Sequence, residues 1–303
     1  MSIIERAVRR LKSAEVEEAA RAAEVLREPA SLIPPLRSAH AEEQPNRRAA
    51  PPHRGSTNTE SPSGKIDLAT LESAGMIVPD GKRTQISEEF RVIKRTLLQN
   101  VKRRDSTAGR SSNLILVTSS FPDEGKTFSS INLALSISAE LDHSVLLVDA
   151  DVAQPRRADF LGLKSAKGLM DLLLDPKLSL AEAVIRTNVE RLDVLLAGPP
   201  HPQATELLAS DSMSRLLSEL AAQGPERIVV FDAPPLLVTT EAGVLAHRAG
   251  QVVMVVEAGK TTQTSLKTAL AQLEGCSVFG LLNKSTGSLD QDMHNYSRYR
   301  YSE

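Results

Sequence analysis

The sequence predicts a doubly wound α/β fold with a mostly parallel sheet, and three observations predict it. Six runs, 114–118, 145–149, 192–196, 228–232, 252–256 and 278–282, are nearly continuous in Val, Leu and Ile, and such two-sided hydrophobicity belongs to parallel strands covered on both faces. Helical patterns lie between the runs, as in TELLASDSMSRLLSELAAQ and TTQTSLKTALAQLE, and they supply the crossovers that parallel neighbours need. The first run leads through a short loop into Gly125-Lys126-Thr127, and two later runs end in aspartate, which gathers phosphate-binding and acidic residues at one edge of the sheet.

Taken in order, 1–28 reads as an amphipathic helix: Ile3, Ile4, Ala7, Val8 and Leu11 share a face, with Arg6, Arg9, Arg10 and Lys12 mostly elsewhere. Residues 29–65 carry seven prolines among Ser, Arg, Asn and Glu. Such a composition cannot bury enough apolar surface to offset ordering entropy, so a disordered linker is expected. The globular domain is expected over 66–285, with a helical stretch from Ile86 ahead of the first strand, and 286–303 form a flexible tail rich in polar residues.

The loop after the first run reads SSFPDEGKTF. Strand, tight loop and Gly-Lys-Thr at a helix start is the arrangement in which backbone N–H groups and the helix N-terminus hold phosphate oxygens. Ser120 stands where the first glycine of the full pattern would be. Ser120, Pro122, Asp123, Glu124, Gly125, Lys126, Thr127 and Phe128 form the expected nucleotide-binding set, with Lys126 reaching the terminal phosphates and the Thr127 hydroxyl ligating Mg²⁺.

Asp149 and Asp151 in VLLVDAD, and Asp232 in RIVVFDAPP, follow from strand ends on the same edge. Turn-capping explains one such aspartate easily and three poorly. Asp232 and Asp151 are assigned to the metal, while Asp149 or Asp151 lies where an attacking hydroxyl must be oriented and deprotonated. Asn283, just past the last run, is the candidate for an adenine contact.

Charge and composition exclude several classes. Thirty-six basic against 38 acidic residues leave a net charge of -2, so no nucleic-acid footprint is visible. One cysteine excludes an internal disulfide, and six scattered histidines indicate no zinc site. No apolar run approaches the roughly 18 residues that span a bilayer, and the early charges do not suit a signal peptide, so a cytoplasmic protein is expected. All three tyrosines, Tyr296, Tyr299 and Tyr301, lie in the tail. A tail that leaves the surface can deliver a phenol to an active site, and this makes them candidate phosphoacceptors.

VTSSFPDEGKT, LLVDADVAQPR, VFDAPPLL, the tyrosine cluster and the opening MSIIERA together resemble the bacterial tyrosine kinases of exopolysaccharide synthesis, and among them the exosortase-associated tyrosine autokinases. That family is a branch of the deviant P-loop ATPases that includes MinD and ParA. The resemblance implies a P-loop NTPase fold, ATP and Mg²⁺ as cofactors, and phosphorylation of the tail between subunits of a homo-oligomeric ring. It also implies a membrane chain-length-determinant (polysaccharide co-polymerase) protein as activator, recruitment to the inner face of the cell membrane, and a tyrosine phosphatase as counterpart.

The family's Glu-x-x-Arg-x-x-Arg oligomerisation motif is matched by Glu88, Arg91 and Lys94, whose spacing of three places them on one helical face. Asp123 stands where family loops usually have glycine. A MinD- or ParA-like ATPase switch, or a nucleotide-dependent scaffold without kinase activity, is the alternative. The partitioning proteins carry a signature lysine early in the loop, and Ser119, Ser120 and Phe121 occupy that region here.

Overall fold

A computed structural model describes residues 61–79, 81, 83–103, 110–152, 161–164 and 167–285. The chain divides into Met1–Gly55 and Ser56–Glu303. The predicted N-terminal helix and the tyrosine tail lie outside the described residues, as does all but the end of the predicted linker.

In chain order the described elements are β1 (Ser63–Gly64), α1 (Leu68–Ser73), α2 (Gln85–Arg103), β2 (Leu114–Ser119), α3 (Lys126–Ser138), β3 (Ser144–Asp149), α4 (Leu169–Leu174) and α5 (Leu180–Ala183). They continue with β4 (Ile185–Thr187), β5 (Leu192–Leu195), α6 (Ala204–Ala209), α7 (Asp211–Ala221), β6 (Arg227–Asp232), α8 (Glu241–Ala246), β7 (Gln251–Glu257), α9 (Gln263–Ala271) and β8 (Val278–Asn283). The strands form one sheet in the order β1-β4-β5-β3-β6-β2-β7-β8. The six predicted strands pair in parallel, while β4 runs antiparallel to β5 and carries β1 at its outer edge.

Successive residues of each central strand enter different cores. Leu114, Leu116, Leu146 and Val148 pack with α4, α6, α7 and α8 on one face. Ile115, Val117, Val145 and Leu147 pack with α1, α2 and α3 on the other. Two covered faces explain why these strands show no alternation of apolar and polar residues.

Two local expectations are corrected. Ser63–Gly64 fall within the segment read as linker, yet they pair with β4: Arg186 N donates to Pro62 O at 2.8 Å, and Ile66 is buried with its N–H donating to Asn188 Oδ1 at 2.7 Å. One apolar anchor and a few backbone bonds order this end of a proline-rich stretch. The pattern TELLASDSMSRLLSELAAQ forms two helices, broken at Ser210, which is extended at ψ 169 and whose hydroxyl accepts from Met213 N at the start of α7. A serine cap here outweighs continuous helical periodicity.

On α2, Glu88 and Arg91 form an exposed ion pair at 3.2 Å. Lys94, expected to share their role, turns inward and is only 8% exposed. Its ammonium donates to Ser136 O at 2.7 Å, in the last turn of α3, and meets Glu140 Oε1 at 2.7 Å. Carbonyls of a last helical turn lack intrahelical partners and favour a cation, which is why Lys94 is drawn there. The Lys94 hydrogen bond holds the Glu140 carboxyl below its ordinary value of 4.5, against the opposing effect of burial.

Lys94→Met is expected to lower unfolding stability by about 1–2 kcal/mol, mostly from the stranded Ser136 carbonyl, since Glu140 is half exposed and solvent screens its share. A depressed carboxylate stabilises the folded chain above its ordinary value and loses that effect as pH falls. The gap between the two proteins should therefore narrow below about pH 4.5, in urea unfolding followed by circular dichroism.

Candidate active site

β2 lies between β6 and β7, and β3 lies beyond β6. The chain leaving β2 crosses to one side of the sheet, and the chain leaving β6 crosses to the other. The loop after β2 therefore opens at the point where connections diverge, where a crevice forms outside the strand ends.

Gly125 is the N-cap of α3, at φ 100 and with no side-chain capping bond. A Cβ there would run into the Asn283 amide, so glycine is required both by the left-handed backbone and by the space. The first N–H groups of α3 have no intrahelical acceptor and carry the positive end of its dipole. Ser120 Oγ and Ser129 Oγ are buried without a hydrogen-bond partner among the described residues. Two unclaimed hydroxyls beside the free N–H groups of a helix start suit a polyphosphate.

Lys126 opens α3 and is 8% exposed, with Nζ 3.3 Å from Asp151 Oδ2. Asp149 and Asp232 are register partners across β3 and β6, Asp151 N donates to Asp149 Oδ1 at 3.2 Å, and Ala150 N donates to Asp232 O at 3.0 Å. Lys126 and the three aspartates predicted to act together are thus brought together, all buried.

Among the described residues no group of three or more His, Cys, Asp and Glu forms a metal cage. Mg²⁺ is held by one or two carboxylates with phosphate oxygens and water, and the chemistry of Asp232, Asp151 and the half-buried Thr127 fits such a set.

The loop's own framework was not foreseen. Glu124, buried at 3% exposure, accepts from Phe121 N at 2.9 Å and from the Thr261 hydroxyl. Asn283, the candidate adenine contact, commits its side-chain amide to Glu124 O at 2.9 Å. Lys284 Nζ donates to Asp123 O at 2.6 Å, and Asp123 adopts the left-handed backbone, φ 63, that glycine would take more easily. Pro122 and Asp123 are exposed at the rim, and Phe128 packs against the core. Thr261 and Lys284 stand 137 and 161 residues from their partners, and no sequence signal joins them.

Glu88 and Arg91 sit on the exposed side of α2, outside this cluster. Tyr296, Tyr299 and Tyr301 lie outside the described residues, as do Pro155 and Arg156 of the second aspartate motif.

No family model matches the chain. It is 34% identical over 190 residues to the tyrosine-protein kinase YwqD of Bacillus subtilis, a match covering 63% of this chain and 76% of YwqD. It is 30% identical over 231 residues to CapB of Staphylococcus aureus, which carries the same kinase name, across 75% of this chain and 95% of CapB. Among solved structures, the chimerical protein CapA2B2 superposes with a TM-score of 0.60 at 28% identity, covering 75% of this chain and 96% of that one.

Proposed function

Since the chain belongs to the bacterial tyrosine-protein kinases, we propose that it is an ATP-dependent autokinase that phosphorylates Tyr296, Tyr299 and Tyr301 and thereby regulates exopolysaccharide polymerisation or export. The observation that carries this reading is Lys126 set against Asp151, with Asp149 and Asp232 at the same strand edge, behind a loop that only glycine can close.

ATP with Mg²⁺ supplies the phosphoryl group and neutralises the charge that develops on it; the rest of the reaction is positioning. The α3 N-terminus and loop N–H groups orient the phosphates. Lys126, poised beside Asp151, turns its ammonium to the terminal phosphates. Asp232, Thr127 and Asp151 hold the metal, and Asp149 or Asp151 accepts the proton of the incoming phenol. Burial keeps this exchange away from bulk water, where these charges would be screened.

The acceptor is expected from a neighbouring subunit of a homo-oligomeric ring assembled through Glu88 and Arg91, with Lys94 bracing the helix behind them. A membrane polysaccharide co-polymerase as activator, a tyrosine phosphatase as counterpart and a place at the inner membrane face complete the proposal. Two tyrosine-kinase relatives, and the absence of any lysine in the loop before Lys126, favour the kinase over a MinD- or ParA-like switch.

Incubation of the full chain with γ-labelled ATP and Mg²⁺ is expected to yield acid-stable phosphotyrosine. Hydrolysis with no transfer would leave the switch instead. Asp149→Asn, Asp151→Asn and Asp232→Asn should retain the fold, and loss of metal or base at the most sensitive of these positions should lower the rate by at least ~100-fold. Full activity in all three variants would place the metal and base elsewhere.

A further inference from the structure

The turn in which β8 ends is bonded to the phosphate loop at two successive carbonyls. Lys284 Nζ donates to Asp123 O at 2.6 Å, and Asn283 Nδ2 donates to Glu124 O at 2.9 Å. Each donor is itself held. Glu257, at the end of β7, meets Lys284 Nζ with Oε1 at 3.2 Å and Lys260 Nζ with Oε2 at 3.2 Å. Ala258 N donates to Asn283 O at 2.9 Å. On the loop's other side, Thr261 accepts from Glu257 N at 3.0 Å and donates to the Glu124 carboxylate, which in turn accepts from Phe121 N. The ends of two strands thus grip both the backbone and the buried carboxylate of one short loop.

Backbone conformation marks the same place. Among the described residues, Asp123, Arg191 and Lys284 are the non-glycine residues at positive φ, at 63, 62 and 56, and two of these three are joined by the Lys284–Asp123 hydrogen bond. A left-handed non-glycine residue persists only where its surroundings over-determine it. Partial burial raises the Glu257 carboxyl, but hydrogen bonds from Lys260 and Lys284 outweigh that and hold it below its ordinary value, so it stays charged and keeps Lys284 oriented.

We propose that Lys284, with Asn283, is a positioning residue for the phosphate loop: it fixes the Asp123 and Glu124 peptides so that the N–H groups around Gly125 are preorganised for a nucleoside triphosphate. It acts through the loop and not on the reacting atoms, so its effect falls on nucleotide binding and not on the transfer step. The inference rests on reading this loop as the nucleotide site. Glycine at position 123 would adopt the left-handed backbone unaided; aspartate there depends on the clamp.

The test compares wild type, Lys284→Ala and Lys284→Arg as full chains, by anisotropy of a fluorescent N-methylanthraniloyl-ATP with Mg²⁺ and by initial autophosphorylation rates against ATP concentration. Lys284 is exposed, so the alanine variant is expected to fold, as a melting curve will show. In Lys284→Ala the Kd of the probe and the KM for ATP should rise about 10-fold or more while kcat changes little, and Lys284→Arg should recover most of the loss, because a cation restores the charged hydrogen bond.

Unchanged Kd and KM in the alanine variant would overturn the proposal. So would a parallel fall in kcat and melting temperature that arginine does not rescue, since that is the signature of a general structural role. A wild-type chain that binds no probe would bring down the nucleotide reading as well, and it does so before any substitution is made.

Discussion

Lys126→Met should eliminate phosphotyrosine formation, lowering kcat/KM for ATP by ~10³-fold or more, in the range seen when a fixed charge-stabilising group is removed from a transition state. Lys126 is the cation that opens α3, buried against Asp151. Lys284 is tied to Asp123 O and to Glu257. Phosphoryl transfer places charge on oxygens that these carboxylates would otherwise repel, and the ammonium is the fixed charge at the helix start that meets it.

The substitution also removes one partner of a buried ion pair, with side chains 10% and 6% exposed. A drop of about 3 kcal/mol in unfolding stability is expected at neutral pH. Far-UV circular dichroism and a melting curve separate that loss from the catalytic one. A folded Lys126→Met protein with undiminished phosphotyrosine would remove the loop from the mechanism.

Changing Tyr296, Tyr299 and Tyr301 together to Phe is the second large effect. Autophosphorylation should vanish while ATP affinity stays at the wild-type value, because no other tyrosine exists in the chain. The 14 residues from Leu282 to Tyr296 extend at most ~46–50 Å, enough to reach either this chain's site or a neighbour's. Mixing the Phe variant with Lys126→Met distinguishes the two routes: label appearing on the lysine variant's tail demonstrates transfer between chains, and its absence confines transfer to one chain.

Complete phosphorylation adds roughly -4.5 to -6 charge units beside Arg298 and Arg300. A tail so charged should leave a site lined by aspartates, and if docked tails help Glu88 and Arg91 hold the ring, phosphorylation should disperse it. On that condition the Phe variant, which keeps its rings, should remain assembled, whereas truncation after Leu289 should weaken the assembly. Equal sedimentation of unphosphorylated, phosphorylated and truncated protein would limit the tail to the role of substrate.

Much of the architecture was readable because it rests on patterns that are local and repeated. Each of the six parallel strands was found within one residue at either end, since burial on both faces leaves an unbroken apolar run wherever it occurs. Gly125, Lys126, Thr127 and the three aspartates were readable for a related reason. A helix start and a strand end are fixed by neighbours in sequence, and parallel topology alone puts them on one edge. By contrast, β1 and β4 are two and three residues long, too short for any periodicity, and they exist only because β5 offers β4, and β4 offers β1, a backbone partner.

Which way Lys94 points, and what holds the phosphate loop, were decided by tertiary structure alone. Spacing placed Lys94 on the face of Glu88 and Arg91, but the orphan carbonyl of Ser136 at the end of a different helix turned it inward. Asp123 with Lys284, and Glu124 with Thr261, meet across 161 and 137 residues only because β8 lies beside β7, and β7 beside β2. A hydrophobic run repeats its signal at every residue and survives any single error in reading. A lone polar pair has no such redundancy: before the sheet order is set, an exposed lysine bound for a loop carbonyl has the same sequence signature as one bound for water.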